Sequence, residues 1–279
     1  MITVTILTKD SERWIKQVLG ALQEFDEVLI YDTGSTDKTL DMVKQFSNVT
    51  IYEAPFEGFG LCHNKATALA RNDWILSLDS DEVLTLELKR EIQTLSLNPK
   101  TVYSFPRKNF YNGKWIRWCG WHPDRVVRFY NRQQTSFSND EVHEKVVTDG
   151  LNVVPLKSPA KHYPYNATED FLNKMQKYSS LFAKQYAGKK KSSFTKALLR
   201  GVYTFFKNYI IKRGFLGGKE GFTISLYNAN TAFYKYIKLL EANRELAAKS
   251  ADGPKKTKVS QSHLYESTDI PQPQAKSRV

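Results

Sequence analysis

The chain has 279 residues, a net charge of +12, and 41% apolar residues, of which many are aromatic. That length serves one large domain or a domain with an appendage, and the apolar share excludes a disordered or fibrous chain. No run reaches the roughly 18 uncharged apolar residues a membrane-spanning helix requires. The opening MITVTILTKD reads as a strand and not as a leader, so a cytoplasmic protein is expected. Cys62 and Cys119 offer neither metal-site spacing nor a disulfide framework, and are expected to be reduced thiols.

Residues 2–7 (ITVTIL) form an apolar, β-branched strand that stops at Thr8-Lys9-Asp10. Trp14, Ile15, Val18, Leu19 and Leu22 then recur at helical spacing. EVLIY (27–31) is a second strand, stopped by DTGSTD (32–37). LDMVKQF follows as a helix with Thr36 or Asp37 as its N-cap. NVTIYEA (48–54) is a third strand, the loop FEGFG leads into the helix CHNKATALAR, and WILSLDSDE is a fourth strand with an acidic end. Strands and helices alternate, and the strands are short and apolar on both faces. The pattern predicts an α/β fold, a mainly parallel sheet flanked by helices.

After Glu91 the pattern changes. Residues 101–132 are aromatic and basic with short β-type runs, a meander of strands and loops, and SNDEVHEKVV (138–147) is a polar loop entering a strand. From Glu169 the apolar spacing is helical again, through Phe171, Leu172, Met175 and Tyr178, then over 197–211 and 224–245. Beyond Leu246 the chain is rich in Lys, Ser, Pro and Gln, and a disordered tail is expected.

LSLDSDEV (76–83) sets Asp79, Asp81 and Glu82 side by side at the end of a buried strand. Carboxylates this close repel one another, and a divalent cation, which prefers hard oxygen ligands, would hold them together. A solvated acidic turn is the plainer alternative. In parallel α/β sheets, ligands sit at the carboxyl ends of the strands. Thr8, Asp32, Phe59-Gly60 and Asp79/Asp81 all fall there or just before helices, so they are expected to converge on one edge. A Gly-containing loop before a helix, with Asn64 and Lys65 one turn in, suits phosphate.

The charge is unevenly spread: from Phe171 to Lys219 there are twelve Lys and Arg and no Asp or Glu. Such a run attracts phosphate on lipid, anionic glycan or nucleic acid, unless it is only a solvated helical face. Phe, Tyr and Leu interleave with the cations as in a segment lying on an anionic membrane. No nucleic-acid module accompanies it.

TILTKD, FDEVLIYDTGSTDKT, FGLCHNKA and WILSLDSDEVL together resemble glycosyltransferase family 2, the inverting transferases of GT-A fold. GWHPDRVVRFYNR, EVHEKV and KHYPYNATEDFLNKMQKYSS resemble a narrower branch, which adds glucose or a similar sugar to the lipopolysaccharide inner core. The resemblance spans roughly 1–245. It departs from the family at Asp10-Ser11-Glu12, where T-K-N-E is usual, and at Ser80, where Ala is frequent. By this resemblance residues 1–165 form the GT-A nucleotide-sugar-binding and catalytic domain, 166–245 a basic helical region for acceptor or membrane contact, and 246–279 the tail.

The resemblance implies a nucleotide-sugar donor, UDP-glucose first, and a divalent metal, Mn²⁺ or Mg²⁺, on its diphosphate. Asp81 is then the main metal ligand, Asp79 reaches the ribose or the metal, and His162 is the histidine nearest them. Thr8, Asp32, Asn64 and Lys65 contact the donor, although Asp32 before Gly34 also suits a simple turn. Glu144 of VHE is the general base, with Asp140, Glu141 and His143 close by. Trp118, Trp121, Arg125 and Arg128 suit a phosphorylated sugar acceptor, by stacking and bidentate pairing. The partners implied are an anionic glycolipid and the inner-leaflet membrane surface, with the enzyme cytoplasmic and peripherally attached to the inner membrane. A transferase of the same family acting on another cell-surface polysaccharide or glycoconjugate, a nucleotidyltransferase, and a non-catalytic glycan- or membrane-binding scaffold are the rival readings. Donor sugar, acceptor linkage and oligomeric state are not set by sequence.

Overall fold

The computed structural model describes residues 1–138, 144–165 and 167–251, the side chains of 250 and 251 excepted. Asp140, Glu141, His143 and the tail beyond 251 lie outside the described residues. The chain begins as expected, with β1 (Ile2–Thr8), α1 (Ile15–Gly20), β2 (Glu27–Asp32), α2 (Thr39–Val43), β3 (Val49–Glu53), α3 (Phe59–Leu69) and β4 (Trp74–Asp79). Asp37 serves α2 by accepting the Thr39 N–H at 2.9 Å, while the N-cap position itself is Lys38, without a side-chain cap.

The acidic run does not continue one strand. β4 ends at Asp79, the chain turns at Ser80-Asp81, and β5 (Glu82–Leu84) leaves for the far side of the sheet. α4 (Leu86–Gln93) follows, capped by Thr85 Oγ1 accepting from the Leu88 N–H. Then come β6 (Thr101–Tyr111), β7 (Lys114–Trp115), β8 (Arg125–Asn131), β9 (Asn152–Pro155) and β10 (Ala160–His162). One sheet results, in the order β3-β2-β1-β4-β8-β6-β10-β5, with β7 and β9 also paired to β6. β1 to β4 are parallel; β8 pairs antiparallel with both β4 and β6.

Strand alternation divides the core between two faces. Val4, Ile6, Val28 and Ile30 pack with Ile15, Val18 and Leu19 of α1. The alternate residues Leu29 and Tyr31 pack with Cys62 and Ala66 of α3. Both cysteines are buried and free. The α3 side also buries paired polar groups: Ser77 Oγ lies 3.1 Å from His63 Nδ1, and the Thr67 hydroxyl 2.9 Å from that of Tyr130. Such pairs set register, because a one-residue slip would strand every one of them.

Three helices close the chain: α5 (Thr168–Tyr186), α6 (Phe194–Phe206) and α7 (Gly218–Ala251), with a π turn over Lys207–Ile211 and a 3-10 turn over Gly214–Gly217 between the last two. α7 starts before the apolar pattern suggests and ends later, running past Leu246 to Ala251 where a disordered tail was expected to have begun. Its first turn crosses the 3-10 turn so closely that a Cβ on Gly221 would meet the Gly214 carbonyl oxygen. α5 is pinned by Phe171, buried with Tyr111, Ile116, Cys119 and Ile224 and stacked on Tyr165 at 4.0 Å.

The amino-terminal ends of the strands are tied by one buried carboxylate. Glu27 accepts the Thr3 hydroxyl at 2.6 Å and the Arg71 backbone N–H and Nε at 2.8 Å each. Burial opposes its ionisation, but the bonds from Arg71 and Thr3 prevail and hold its pKa below the ordinary 4.5. Being lowered, it contributes stability that is present above the ordinary value and is lost as pH falls through the lowered one. Glu27→Ala strands these donors and should cost about 1–3 kcal/mol. Thermal melts at neutral and acidic pH check this: Tm should fall at pH 7, and the acid-induced loss of stability below the usual glutamate range should be shallower than in the wild type.

Candidate active site

Register brings the carboxyl ends of the strands together. Thr8 lies opposite Asp32, and Leu7 opposite Asp79. Across the sheet β10 aligns His162 with both Glu82 and Asn109. The acids of LSLDSDEV therefore face His162 because β5 and β10 are neighbours, a pairing between segments about eighty residues apart.

Asp79 is held by Arg128, whose Nη2 is 3.2 Å from Oδ2, and by Arg107 at 3.7 Å. Glu82, fully buried, accepts Arg107 Nη1 at 2.8 Å and the Asp79 backbone N–H at 3.1 Å. Arg107 Nε also reaches Asp124 at 3.0 Å. Burial raises the proton affinity of Asp79, but Arg128, His63, Arg107 and His162 together outweigh it and hold its pKa below the ordinary value. Burial and the neighbouring Asp79 push Glu82 up, against the pull of Arg107. Asp81 has no such guanidinium: burial, then Asp79 and Glu82, push it up to about 7.

His162 is oriented by an amide whose own orientation is fixed. Asn109 Nδ2 donates to the Trp121 carbonyl and to Asp124, both at 3.0 Å, so its Oδ1 faces His162 Nδ1 at 2.6 Å. Nδ1 must then carry the proton, which leaves the lone pair on Nε2. Burial, followed by Arg107, lowers the His162 pKa to about 3 and keeps the ring neutral. Nε2 points at Asp81 Oδ1, 3.5 Å away. Two acceptors facing each other need a proton or a cation between them. Ligand atoms of Asp79, Glu82 and His162 also lie within 4.8 Å of one another. Carboxylate oxygens and a neutral imidazole suit a borderline or hard divalent metal, so the donor set fits one. Glu82 joins this group although the notice it takes in sequence is only as the third acid of the run.

Two clefts meet at this cluster. One is lined by Lys9, Ser11, Arg13, Trp14, Asp81 and Lys174, beside Tyr163. Trp14 and Tyr163 stack at 4.0 Å, giving it an aromatic wall. Lys174, from the basic run, is half-buried here, where burial lowers its pKa and Asp81 opposes that shift. The other cleft is lined by Asn109, Trp121, Asp124, His162, Pro164 and Tyr165, with Trp121 stacked on Tyr165.

Several expected binders are occupied elsewhere. Asp32 accepts N–H bonds from Gly34 (2.9 Å) and Ser35 (2.8 Å) and hydroxyls from Ser35 (2.5 Å) and Thr8 (3.0 Å). Both its oxygens shape the turn, with Gly34 at φ 98°, and Asp32 and Thr8, expected at the donor, are buried together here. Asn64 exchanges two bonds with the Phe137 backbone, at 3.0 and 2.8 Å, and so latches α3 to the segment leading to residue 138. Lys65 pairs with Glu57 on the surface. Arg125 Nη1 donates to the Ser104 and Leu156 carbonyls, both at 2.9 Å, tying strands together. Arg128 is buried and donates to Asp79. Trp118 packs beside Gly217.

Glu144 is half-buried, two residues before Val146, which bridges to Phe137. Burial opposes the raised pKa of Arg128, Asp79 and Glu82 raise it, and Glu144 adds a smaller push in the same direction, which places Glu144 in the field of the cluster. Arg107, Asn109, Asp124 and Lys174 complete the site without having been singled out in sequence. Arg107 and Asn109 sit two apart on β6, as a single strand face requires; Lys174 carries no local signal within its run.

Residues 3–149 match the family described as Glycosyl transferase family 2. The chain is 30% identical over 264 residues to an uncharacterized glycosyltransferase of Rickettsia typhi, covering 89% of this chain and 88% of that one. Among solved structures it is similar to a mannosyltransferase from Pyrobaculum calidifontis in complex with GDP-Man and Mn²⁺, at 18% identity, TM-score 0.46, and 90% and 79% coverage. It is also similar to TarS of S. aureus in complex with UDP-GlcNAc, at 16% identity, TM-score 0.44, and 90% and 92% coverage. The sheet with its flanking helices is the expected α/β architecture, with a helical appendage after β10. With more than half its length matched, and a relative aligned almost end to end, the chain belongs to glycosyl transferase family 2.

Proposed function

We propose that the protein is an inverting, metal-dependent hexosyltransferase that moves glucose from UDP-glucose to the lipopolysaccharide core or a related anionic, lipid-linked glycan. The observation that carries this reading is the facing of His162 Nε2 and Asp81 Oδ1 beside Asp79 and Glu82, two open acceptors in a nest of acids where the two clefts meet. Asp81, Asp79 and His162, with Glu82, would hold the metal, which when bound supplies Lewis acidity to a departing diphosphate.

The chain's own groups do the rest. The cleft with the Trp14–Tyr163 wall takes the nucleotide, and Lys9, Arg13 and Lys174 supply positive charge for its phosphates. Arg107 and Arg128 help to keep Asp79 ionised, so a charged carboxylate is present before any ligand arrives. The cleft with Trp121 and Tyr165 takes the acceptor sugar against an aromatic face. Glu144 receives the acceptor hydroxyl proton, and the sugar is transferred from the opposite side with inversion.

Release of nucleoside diphosphate from a panel of sugar donors, with Mn²⁺ or Mg²⁺ present, tests the reading. UDP-glucose should be turned over fastest, and silence across the panel would overturn it. Asp81→Asn keeps the shape but removes the charge; turnover should fall by more than about 10² and metal-dependent donor binding should weaken, as read by titration calorimetry. Glu144→Gln should lower kcat by roughly 10²–10⁴ with donor affinity unchanged, and a loss confined to donor affinity would reassign Glu144.

A further inference from the structure

α6 carries its apolar face outward. Ala197 and Gly201 are buried against α7, where a Cβ on Gly201 would lie 3.2 Å from Phe233 and 3.4 Å from the Ala229 carbonyl. On the opposite side Leu198, Leu199, Val202, Tyr203, Phe206 and Ile210 are 47–63% exposed. At 3.6 residues per turn the five that belong to α6 share an arc of about 140°. A helix on a globular surface normally turns such an arc inward, toward the core. The patch continues through Ile211, Phe215 and Leu216, all exposed. Contiguous apolar surface of this kind marks an interaction site.

The border of the patch is cationic. Lys189, Lys190 and Lys191 precede α6, Arg200 and Lys207 flank the arc, and Lys212 and Arg213 follow the π turn; all are exposed. No acid occurs between Phe171 and Lys219. A second copy meeting this face by two-fold symmetry would set cation against cation at every border. Nucleic acid would complement the charge but leave the aliphatic arc in water. An anionic bilayer satisfies both at once, taking the side chains at the acyl boundary and the cations among the headgroups. Among the described residues, no helix is long and apolar enough to cross a membrane, so this contact is interfacial.

We propose that the outward face of α6 and the turn after it dock the protein on an anionic lipid bilayer. The surface is joined to the cleft assigned to the acceptor: the Cys119 N–H donates to the Lys212 carbonyl at 3.0 Å, and Gly120 and Trp121, next in the chain, line that cleft. A lipid-linked acceptor would therefore enter from the docked side. This extends the acceptor reading above, but the docking itself rests on the surface alone.

Sedimentation of the full chain with vesicles of phosphatidylcholine, alone or with phosphatidylglycerol, at low and high salt, tests it without donor or acceptor. The wild type should bind the anionic vesicles, and less well at high salt. Two variants separate the contributions: Leu199→Ser with Phe206→Ser and Ile210→Ser, and Lys189→Glu with Lys190→Glu and Lys191→Glu. Each should weaken binding by about tenfold or more, with circular dichroism and melting unchanged because every altered side chain is exposed. Failure of the wild type to bind overturns the proposal, as does full binding by the serine variant. A wild-type dimer in sedimentation velocity that the serine variant dissolves also overturns it, by giving the face to a second copy. Vesicle binding by a protein that consumes no sugar donor would leave the docking intact and remove only the transferase reading.

Discussion

The structure turns on the pairing of two buried guanidiniums with the acids at the carboxyl end of β4. Asp79 and Glu82 lie close together in a water-poor setting, where Arg128 and Arg107 help to keep Asp79 ionised and Arg107 opposes the upward push on Glu82. An opposite charge at about 4 Å is worth about 4 kcal/mol at the effective dielectric of such sites, the same order as the like-charge repulsion it opposes. The two arginines arrive on β6 and β8, so the charge balance exists only when these strands have inserted beyond β4. Folding of the second half of the sheet and assembly of the site are thus one event.

The balance is deliberately incomplete in one place. Asp81 has neither arginine, and its proton affinity rises accordingly. The imidazole opposite it is locked in the tautomer that offers a lone pair, through a chain of bonds from Asp124 and the Trp121 carbonyl to Asn109 to His162. Acceptor faces acceptor. Preorganised polar groups of this kind cost stability in an empty protein and are useful only when a cation or a proton joins them. Around them, residues that look ligand-binding in isolation serve as supports: Asp32 builds the turn after β2, and Asn64 anchors the segment that leads toward Glu144.

The helical layer serves two surfaces. α5 contributes Lys174 to one cleft and buries Phe171 behind the other, which fixes the helices to the sheet. α6, packed against α7 by its small residues, is left with its large apolar ones in solvent. The basic run is accordingly not uniform: Lys174 belongs to the site, while the cations around α6 border an apolar patch.

Local sequence carried most of the first half of the fold. Short strands apolar on both faces, helical spacing between them and turn residues after them specify a parallel α/β sheet through near-neighbour physics, and β1 to β4 follow that reading closely. The clustering of Asp79 and Asp81 at a strand end was legible for the same reason. What sequence could not show is which side chains are already occupied. Asp32, Asn64, Arg125 and Arg128 have the chemistry of ligand-binding groups, and their partners come from residues close by as well as far along the chain. The break between β4 and β5 was equally hidden, because it depends on β10 arriving to pair with Glu82. The approach of Arg107, Asn109 and His162 to the acids is a matter of strand order, and strand order is decided by which long-range pairings bury the most apolar surface while satisfying the most charge. Composition could mark the basic, aromatic segment as unusual; only the packing of Gly201 against α7 decided which face of that helix was left for water or lipid.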